Sequence, residues 1–307
     1  MEQAPNWDLY WTFLHVLREG SLSAAARELG LTQPTVGRHI DTLEQMIGAQ
    51  LFTRSPHGLL ATDVALELQP YAAAMAANAA ALVRMASAQH DKVEGTIRIG
   101  ASEVIGVEVL PGIIAQLLNT YPALHIELSA SDTVEDLLNR EVDIAVRMAE
   151  PSQDALLVRN VGSIPLGLYA HSAYIARYGT PRTVADLKKH RLIGFDRQTA
   201  FVRAIEKRFP VTQELKFIYR TDSNLAQLAA IRAGIGIGIC QDGLAQDNPE
   251  LIHLLPDQFS IGLPTWIAMH ENLGSSHRFR LVFETLINGM LGYIKKTAAT
   301  KPGRPSV

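Results

Sequence analysis

Residues 29–48 read LGLTQPTVGRHIDTLEQMIG, and the residue types in that order predict a turn opening into one capped helix. Thr32 is a suitable N-cap, Pro34 falls in the first turn where a missing N–H costs nothing, and Gly48 supplies the stop. Val36, Ile40, Leu43 and Ile47 recur at helical spacing, which gathers them into one apolar stripe facing a core. The opposite face carries Pro34, Thr35, Arg38, Asp41, Thr42 and Gln45, with Gln33 and His39 on its flanks. Short polar groups near a helix N-terminus, with one arginine able to give two hydrogen bonds to a guanine edge, suit a helix that enters a DNA groove.

Upstream, Ala24 to Leu29 predict a short helix with Ser23 as its cap, joined to the first across Gly30-Leu31-Thr32. The pair is a helix-turn-helix, and its small residues permit close approach. Leu9, Phe13, Val16 and Leu17 mark a third amphipathic helix that covers the other two. Downstream, Leu51 to Arg54 and Leu59 to Thr62 are extended segments around the turn-forming Ser55-Pro56-His57-Gly58, a wing with Arg54 and His57 near its tip.

With these residues in place, positions about 9–66 resemble the N-terminal domain of LysR-type transcriptional regulators. The resemblance rests on Gly20-Ser21-Leu22-Ser23-Ala24-Ala25-Ala26, on Thr32 to Ile40, and on Leu43-Glu44, Gly48, Leu51 to Arg54 and Thr62. Gly37 stands where the family usually has Ser, His57 where it has Arg, and Ala61 where it has Leu; the first two remove phosphate contacts. The orientation implied sets Gln33, Pro34, Thr35 and Arg38 against base edges and Thr32, Ser23, Arg54 and His57 along the backbone. Residues 1–66 hold four Arg and no Lys against seven acidic residues, an unusual balance for a DNA reader. One copy is expected to bind weakly, and several copies on one DNA face would offset this.

From Asp63 to about Gln89 the chain is Ala-rich and free of Gly, which favours a long helix. Leu68, Met75 and Leu82 are seven apart, as are Tyr71, Asn78 and Met85, a seam that seeks a partner helix, with Asn78 fixing register. The plain alternative is a helix packed on its own domain. Pro70 predicts a kink or a boundary, and His90 to Gly95 a hinge.

Beyond Gly95 strands and helices alternate: Thr96–Gly100, Val109–Asn119, Leu124–Ala130, Thr133–Arg140 and Val142–Arg147, a β-α-β-α-β order that gives a parallel sheet. A second set follows, with strands at Leu192–Phe195, Lys216–Thr221 and Ile235–Cys240 and helices at Thr199–Phe209 and Asn224–Ala233. Two sheets imply two lobes. Pro264 to Met269 reads as a returning strand and Ser276 to Ile294 as a final helix on the first lobe. This portion is similar to the effector-binding domain of the same family, which has the type 2 periplasmic-binding-protein fold. The similarity rests on Gly95 to Ser102, Leu110-Pro111, Tyr121-Pro122, Val142 to Arg147, Asp186-Leu187 and Ala233 to Ile237.

Ligands in open α/β sheets bind outside the carboxyl ends of strands, and the resemblance puts an effector pocket there, between the lobes. By position the candidates are Ser102, Glu103 and Val104 after the first strand, Ser131 and Thr133 after the second, and Arg147 after the third. Phe195 and Ser223 are candidates in the second lobe. Each has a plainer role available: Ser131 and Ser223 as helix caps, Arg147 as the partner of Glu150 or Asp143. A carboxylate at Glu103 would repel an anionic effector. It implies a neutral or amino-bearing one, or a Glu103 neutralised by Arg147.

Other chemistry lacks its motifs. Gly234-Ile235-Gly236-Ile237-Gly238 misses the phosphate-loop spacing, no H-E-x-x-H or close histidine cluster marks a metal, and no cofactor is expected. Cys240, the one cysteine, excludes an intramolecular disulfide and reads as a packing residue. A leader peptide or membrane span is not expected, which fits a cytoplasmic protein without a membrane partner.

The expectation is therefore an α/β chain built as a winged helix-turn-helix over 1–66, a dimerising linker helix and hinge over 67–92, and a two-lobe effector domain over 93–293. Lobe I takes about 93–163 and 267–293, lobe II about 164–266, and 294–307 form a disordered tail. Its expected partners are double-stranded promoter DNA, a small-molecule effector and further copies in a homodimer or homotetramer. RNA polymerase is a further partner that this class admits. The rival is a cytoplasmic solute-binding module or an enzyme on the same two-lobe fold.

Overall fold

The computed structural model describes residues 6–55, 58–86, 93–132, 142–151 and 156–299. Two compact units divide at Ala86/Ser87.

The first unit opens with α1 (Trp7–Glu19), α2 (Leu22–Leu29) and α3 (Gln33–Ile47), each ending at a left-handed glycine: Gly20, Gly30 and Gly48. Asn6, Ser21 and Thr32 cap them through their side chains, each satisfying one otherwise free N–H. Ser21 therefore replaces Ser23 as the cap expected for α2. Leu22 packs against the core, which draws the helix start two residues forward and leaves Ser23 inside the first turn. Phe13, Val16, Ala25, Val36, Leu43 and Leu51 are buried together. Each large apolar side chain so buried contributes about 1.5–3 kcal/mol.

Strands β1 (Phe52–Ser55) and β2 (Gly58–Ala61) pair antiparallel as the wing. Gly58 has φ +125°, and a Cβ there would lie 2.7 Å from the Gly20 carbonyl oxygen. That same carbonyl accepts from Leu59 N at 2.8 Å, so the wing root is held against the α1–α2 corner at a position that only glycine fits. Thr62 then caps α4 (Asp63–Ala86), accepting from Ala65 N while its hydroxyl donates to the Gln50 carbonyl at 2.8 Å. The helix passes through Pro70 without a break, so no boundary forms there. Buried Ala65 and Ala72 anchor the turns on either side of it, which offsets the lost hydrogen bond.

The second unit begins with β3 (Gly95–Ala101), a π-turn at Ile105–Val109, α5 (Leu110–Thr120), β4 (Leu124–Ala130) and β5 (Ile144–Arg147). It continues with β6 (Leu156–His171), α6 (Ser172–Tyr178), β7 (Leu192–Phe195), α7 (Ala200–Arg208), β8 (Phe217–Thr221) and α8 (Asn224–Arg232). After these come β9 (Gly238–Gln241), α9 (Asp242–Gln246), β10 (Leu251–Leu254), β11 (Ile261–His270) and α10 (His277–Ala299). β3 lies between β4 and β5, parallel to both, as the alternating pattern predicts.

The two sheets expected from sequence are joined differently. Strands run in the order β10-β6-β11-β5-β3-β4 in one sheet, with β9 also on β6, while β7 and β8 form a small parallel pair. β6 has no counterpart among the predicted strands. Gly162, Pro165 and Gly167 give it the composition of a loop, yet its Leu156–Leu166 stretch pairs with the whole of β11. Its ladder shifts register where Thr265 faces Gly162 and Trp266 faces Asn160, leaving Val161 as the extra residue. On one side of this bulge β11 pairs with β5 as well; on the other, β6 takes up β9 and β10.

Three further expectations are corrected. The strand expected from Ile235 starts at Gly238, since Ile237 exchanges backbone hydrogen bonds with Arg191 and Ile193 instead. The first helix of the unit begins as the π-turn, four residues before Val109. The last helix extends to Ala299, with Lys296 Nζ 2.5 Å from Asp247 Oδ1, so the expected tail begins later than residue 294. The helix expected at Thr133–Arg140, the hinge residues 90–92 and the end of the tail lie outside the described residues.

Candidate nucleic-acid interface and ligand cleft

On α3 the apolar stripe is turned inward, with Val36, Ile40 and Leu43 buried. Gln33, Pro34, Arg38, Asp41 and Gln45 are exposed on the other side, and Thr35 is half-buried. The N-terminal turn is organised by Thr32, whose Oγ1 lies 2.8 Å from Thr35 Oγ1 and accepts from Thr35 N. Arg38 and Arg54 are exposed, and neither takes part in an ion pair among the described residues. Ser23 is half-buried on α2, and His57 lies outside the described residues.

Two side chains that sequence reasoning left aside fix the reading helix. The Thr12 hydroxyl donates to the Asp8 carbonyl at 2.7 Å, so the 2.8 Å contact with His39 Nδ1 requires His39 to donate. His39 thus pins α3 to α1. Glu44 Oε1 accepts from the backbone N–H groups of Leu51 and Phe52, at 2.7 and 3.2 Å, which ties the helix to the wing. The signal for Glu44 was present in its match to the family motif; the signal for Thr12 and His39, far apart in sequence, was not.

In the second unit the carboxyl ends of β3, β4 and β5 carry Ser102, Glu103, Val104, Ser131 and Arg147. Glu103 Oε2 accepts from Ser223 Oγ at 3.1 Å, which joins two of the predicted residues across the cleft. Ser223 also caps α8, accepting from Ala226 N, so its plainer role and its place in the cleft coexist. Arg147 is buried, and its Nη1 donates to the Ser131 carbonyl at 2.5 Å. It does not pair with Glu103. Phe195 is half-buried at the end of β7, its ring edge-on to Phe201 at 6.1 Å. Ser102 and Val104 are half-buried beside Glu103, and Thr133 lies outside the described residues.

α8 makes two more bridges that the sequence reading missed. Asn224 Nδ2 donates to Asp132 Oδ2 at 2.6 Å, and Asp132 Oδ1 accepts from Glu103 N at 2.9 Å. At the other end Arg232 grips Glu108 of the π-turn with two hydrogen bonds of 2.8 and 2.7 Å. The guanidinium holds the Glu108 carboxyl below its usual range. Asp132 and Asn224 could have been sought next to the chosen strand and helix ends, whereas Glu108 and Arg232, 124 residues apart, carried no local signal.

Cys240 is buried, and burial pushes its thiol up to about 12, which suits packing rather than nucleophilic attack. Among the described residues no His, Cys, Asp and Glu group could hold a metal ion, and no helix is long and apolar enough to cross a membrane.

A reading helix with a wing on one unit, and a strand-end cleft on the other, define a regulator of two parts: one to read DNA, one to sense a small molecule. Residues 7–66 match the family model for bacterial regulatory helix-turn-helix proteins of the lysR family. Residues 90–290 match the model for the LysR substrate binding domain. The chain belongs to the LysR family of transcriptional regulators.

Relatives agree with this. The chain is 25% identical over 252 residues to a probable HTH-type transcriptional regulator, LtrA, of Klebsiella pneumoniae, covering 80% of this chain and 81% of that one. It is 28% identical to the HTH-type transcriptional activator AaeR of Escherichia coli, where the match covers 58% of each chain. Among solved structures, CrgA from Neisseria meningitidis, a LysR-type regulator, superposes with a TM-score of 0.57 at 23% identity, over 94% of this chain and 100% of that one. Full-length CbnR in complex with its target DNA gives 0.65 at 18% identity, over 95% and 99%.

Proposed function

We propose that this protein is a ligand-responsive transcription factor whose reader is residues 1–66, whose linker of 67–92 dimerises, and whose sensor is residues 93–293. The observation that carries the reading is the exposed face of α3, where Gln33, Arg38 and Gln45 are open to solvent while the apolar stripe is buried. Gln33, Pro34, Thr35 and Arg38 meet base edges; Thr32, Ser23, Arg54 and His57 lie along phosphates. The effector occupies the cleft between the strand ends and α8, lined by Ser102, Glu103, Val104, Ser131, Thr133, Arg147, Phe195 and Ser223.

Dimerisation has support of its own. Tyr71, Met75 and Leu82 of the expected seam are 72%, 41% and 67% exposed on α4, as is Val83 at 71%, which leaves them open to a partner helix. A homodimer, or a homotetramer built from it, would place several reading helices on one stretch of promoter DNA. The protein works in the cytoplasm, without catalysis, and RNA polymerase is the partner through which bound copies act.

A mobility shift on DNA from the flanks of the gene, at two salt concentrations, tests the reader. Retarded, salt-sensitive complexes that Arg38→Ala weakens support the reading; unaltered affinity for that variant overturns it.

A further inference from the structure

Two carboxylates stand at the mouth of the cleft, Glu103 after β3 and Asp132 after β4, and they touch the same backbone: Asp132 Oδ1 accepts from Glu103 N. Among the described residues the side chains that bond to them are uncharged, the Ser223 hydroxyl on Glu103 and the Asn224 amide on Asp132. Glu103 Oε1 accepts no hydrogen bond among the described residues. The arginines on the surrounding strand and helix ends are engaged elsewhere. Arg147 donates to the Ser131 carbonyl, Arg220 to the carbonyls of Phe195 and Asp196, Arg232 to Glu108, and Arg197 pairs with Asp222. Two neighbouring carboxylates without a cation repel each other, and a cation placed between them removes that cost.

A second observation points into the same space. Gln227 is 5% exposed, and its Nε2 has no hydrogen-bond partner among the described residues. It sits one turn along α8 from Ser223, with Gln227 N bonded to the Ser223 carbonyl. Residues one turn apart share a helix face, and helical side chains lean toward the N-terminus. Gln227 therefore leans toward the residues that meet Glu103 and Asp132. A buried amide donor without an acceptor is costly in a finished core; in a binding site it awaits the ligand's oxygen.

We infer that the effector of this regulator is a small molecule bearing a protonated amine, seated between Glu103 and Asp132, with a hydrogen-bond acceptor on the adjoining carbons that meets Gln227. The inference rests on the cleft being the effector site. It goes further in fixing the charge of the ligand: simple carboxylic acids are excluded.

Calorimetry on the full chain, titrated into the millimolar range, tests this with ethanolamine and L-lysine as probes and benzoate and succinate as controls. Saturable binding of an amine is expected, weakened about tenfold or more in Glu103→Gln, since a charged hydrogen bond is lost while shape and the Ser223 contact are kept. Gln227→Leu is expected to weaken L-lysine and ethanolamine too, without changing the pH dependence of their binding. Saturable benzoate or succinate binding with none by the amines overturns the amine assignment yet keeps the cleft. No amine binding at all, or amine binding indifferent to Glu103→Gln, overturns it as well. The wild-type mobility shift, read separately, reports whether the DNA-reading assignment stands.

Discussion

At the residue scale a few side chains carry consequences out of proportion to their size. Arg38→Ala removes the one cationic donor on the exposed face of α3 and should cost about 1–3 kcal/mol of specific binding, read as a mobility-shift titration. Glu44→Ala leaves two partly buried N–H groups, those of Leu51 and Phe52, without their acceptor. It should destabilise the first unit by about 1–3 kcal/mol, measured by denaturant melting. Glu108 makes a prediction in pH. Its carboxyl is held below the ordinary 4.5 in the fold by Arg232, so its contribution is complete above that value and is lost as pH falls through the lower folded value. The thermal midpoint of the wild type should exceed that of Glu108→Gln at neutral pH, and the gap should close as the solution is acidified below about 4.5. An unchanging gap would show that the pair adds nothing through its charge.

Elements were legible in proportion to how local their causes are. α3 announced itself because cap, stripe and stop all fall within residues 32–48, and β3 and β5 because buried parallel strands are rich in branched residues, whereas β4, expected to be buried as well, lies at the sheet edge with most of its residues exposed. Ser23 was mistaken for a cap because two serines flank Leu22, and only the packing of Leu22 chooses between them. β6 was missed because Gly162, Pro165 and Gly167 are turn residues by propensity; the long β11 beside it overrides them. The cleft was half legible: strand-end positions named Glu103 and Ser223, but their pairing, and that of Glu108 with Arg232, depends on chain folding over more than a hundred residues. For α4 the prediction is oligomeric. Leu82→Glu together with Val83→Glu puts charge on its most exposed apolar stretch and should shift sedimentation from dimer or larger to monomer; a retained dimer would move the interface elsewhere.

For the whole molecule, charge and copy number are linked. The reader carries more acids than bases, so each copy is expected to neutralise few phosphates, with specific affinity drawn from several copies acting together. The monomeric Leu82→Glu/Val83→Glu form should therefore lose most operator affinity and show a shallower dependence on salt than the parent protein. The sensor presents a different constraint. Because β6 and β11 run through both of its halves and meet at the Val161 bulge, the halves are the two ends of a single torsion bar rather than separate bodies on loose string. Any turn of one half against the other would therefore have to pass through that one interrupted stretch of paired backbone.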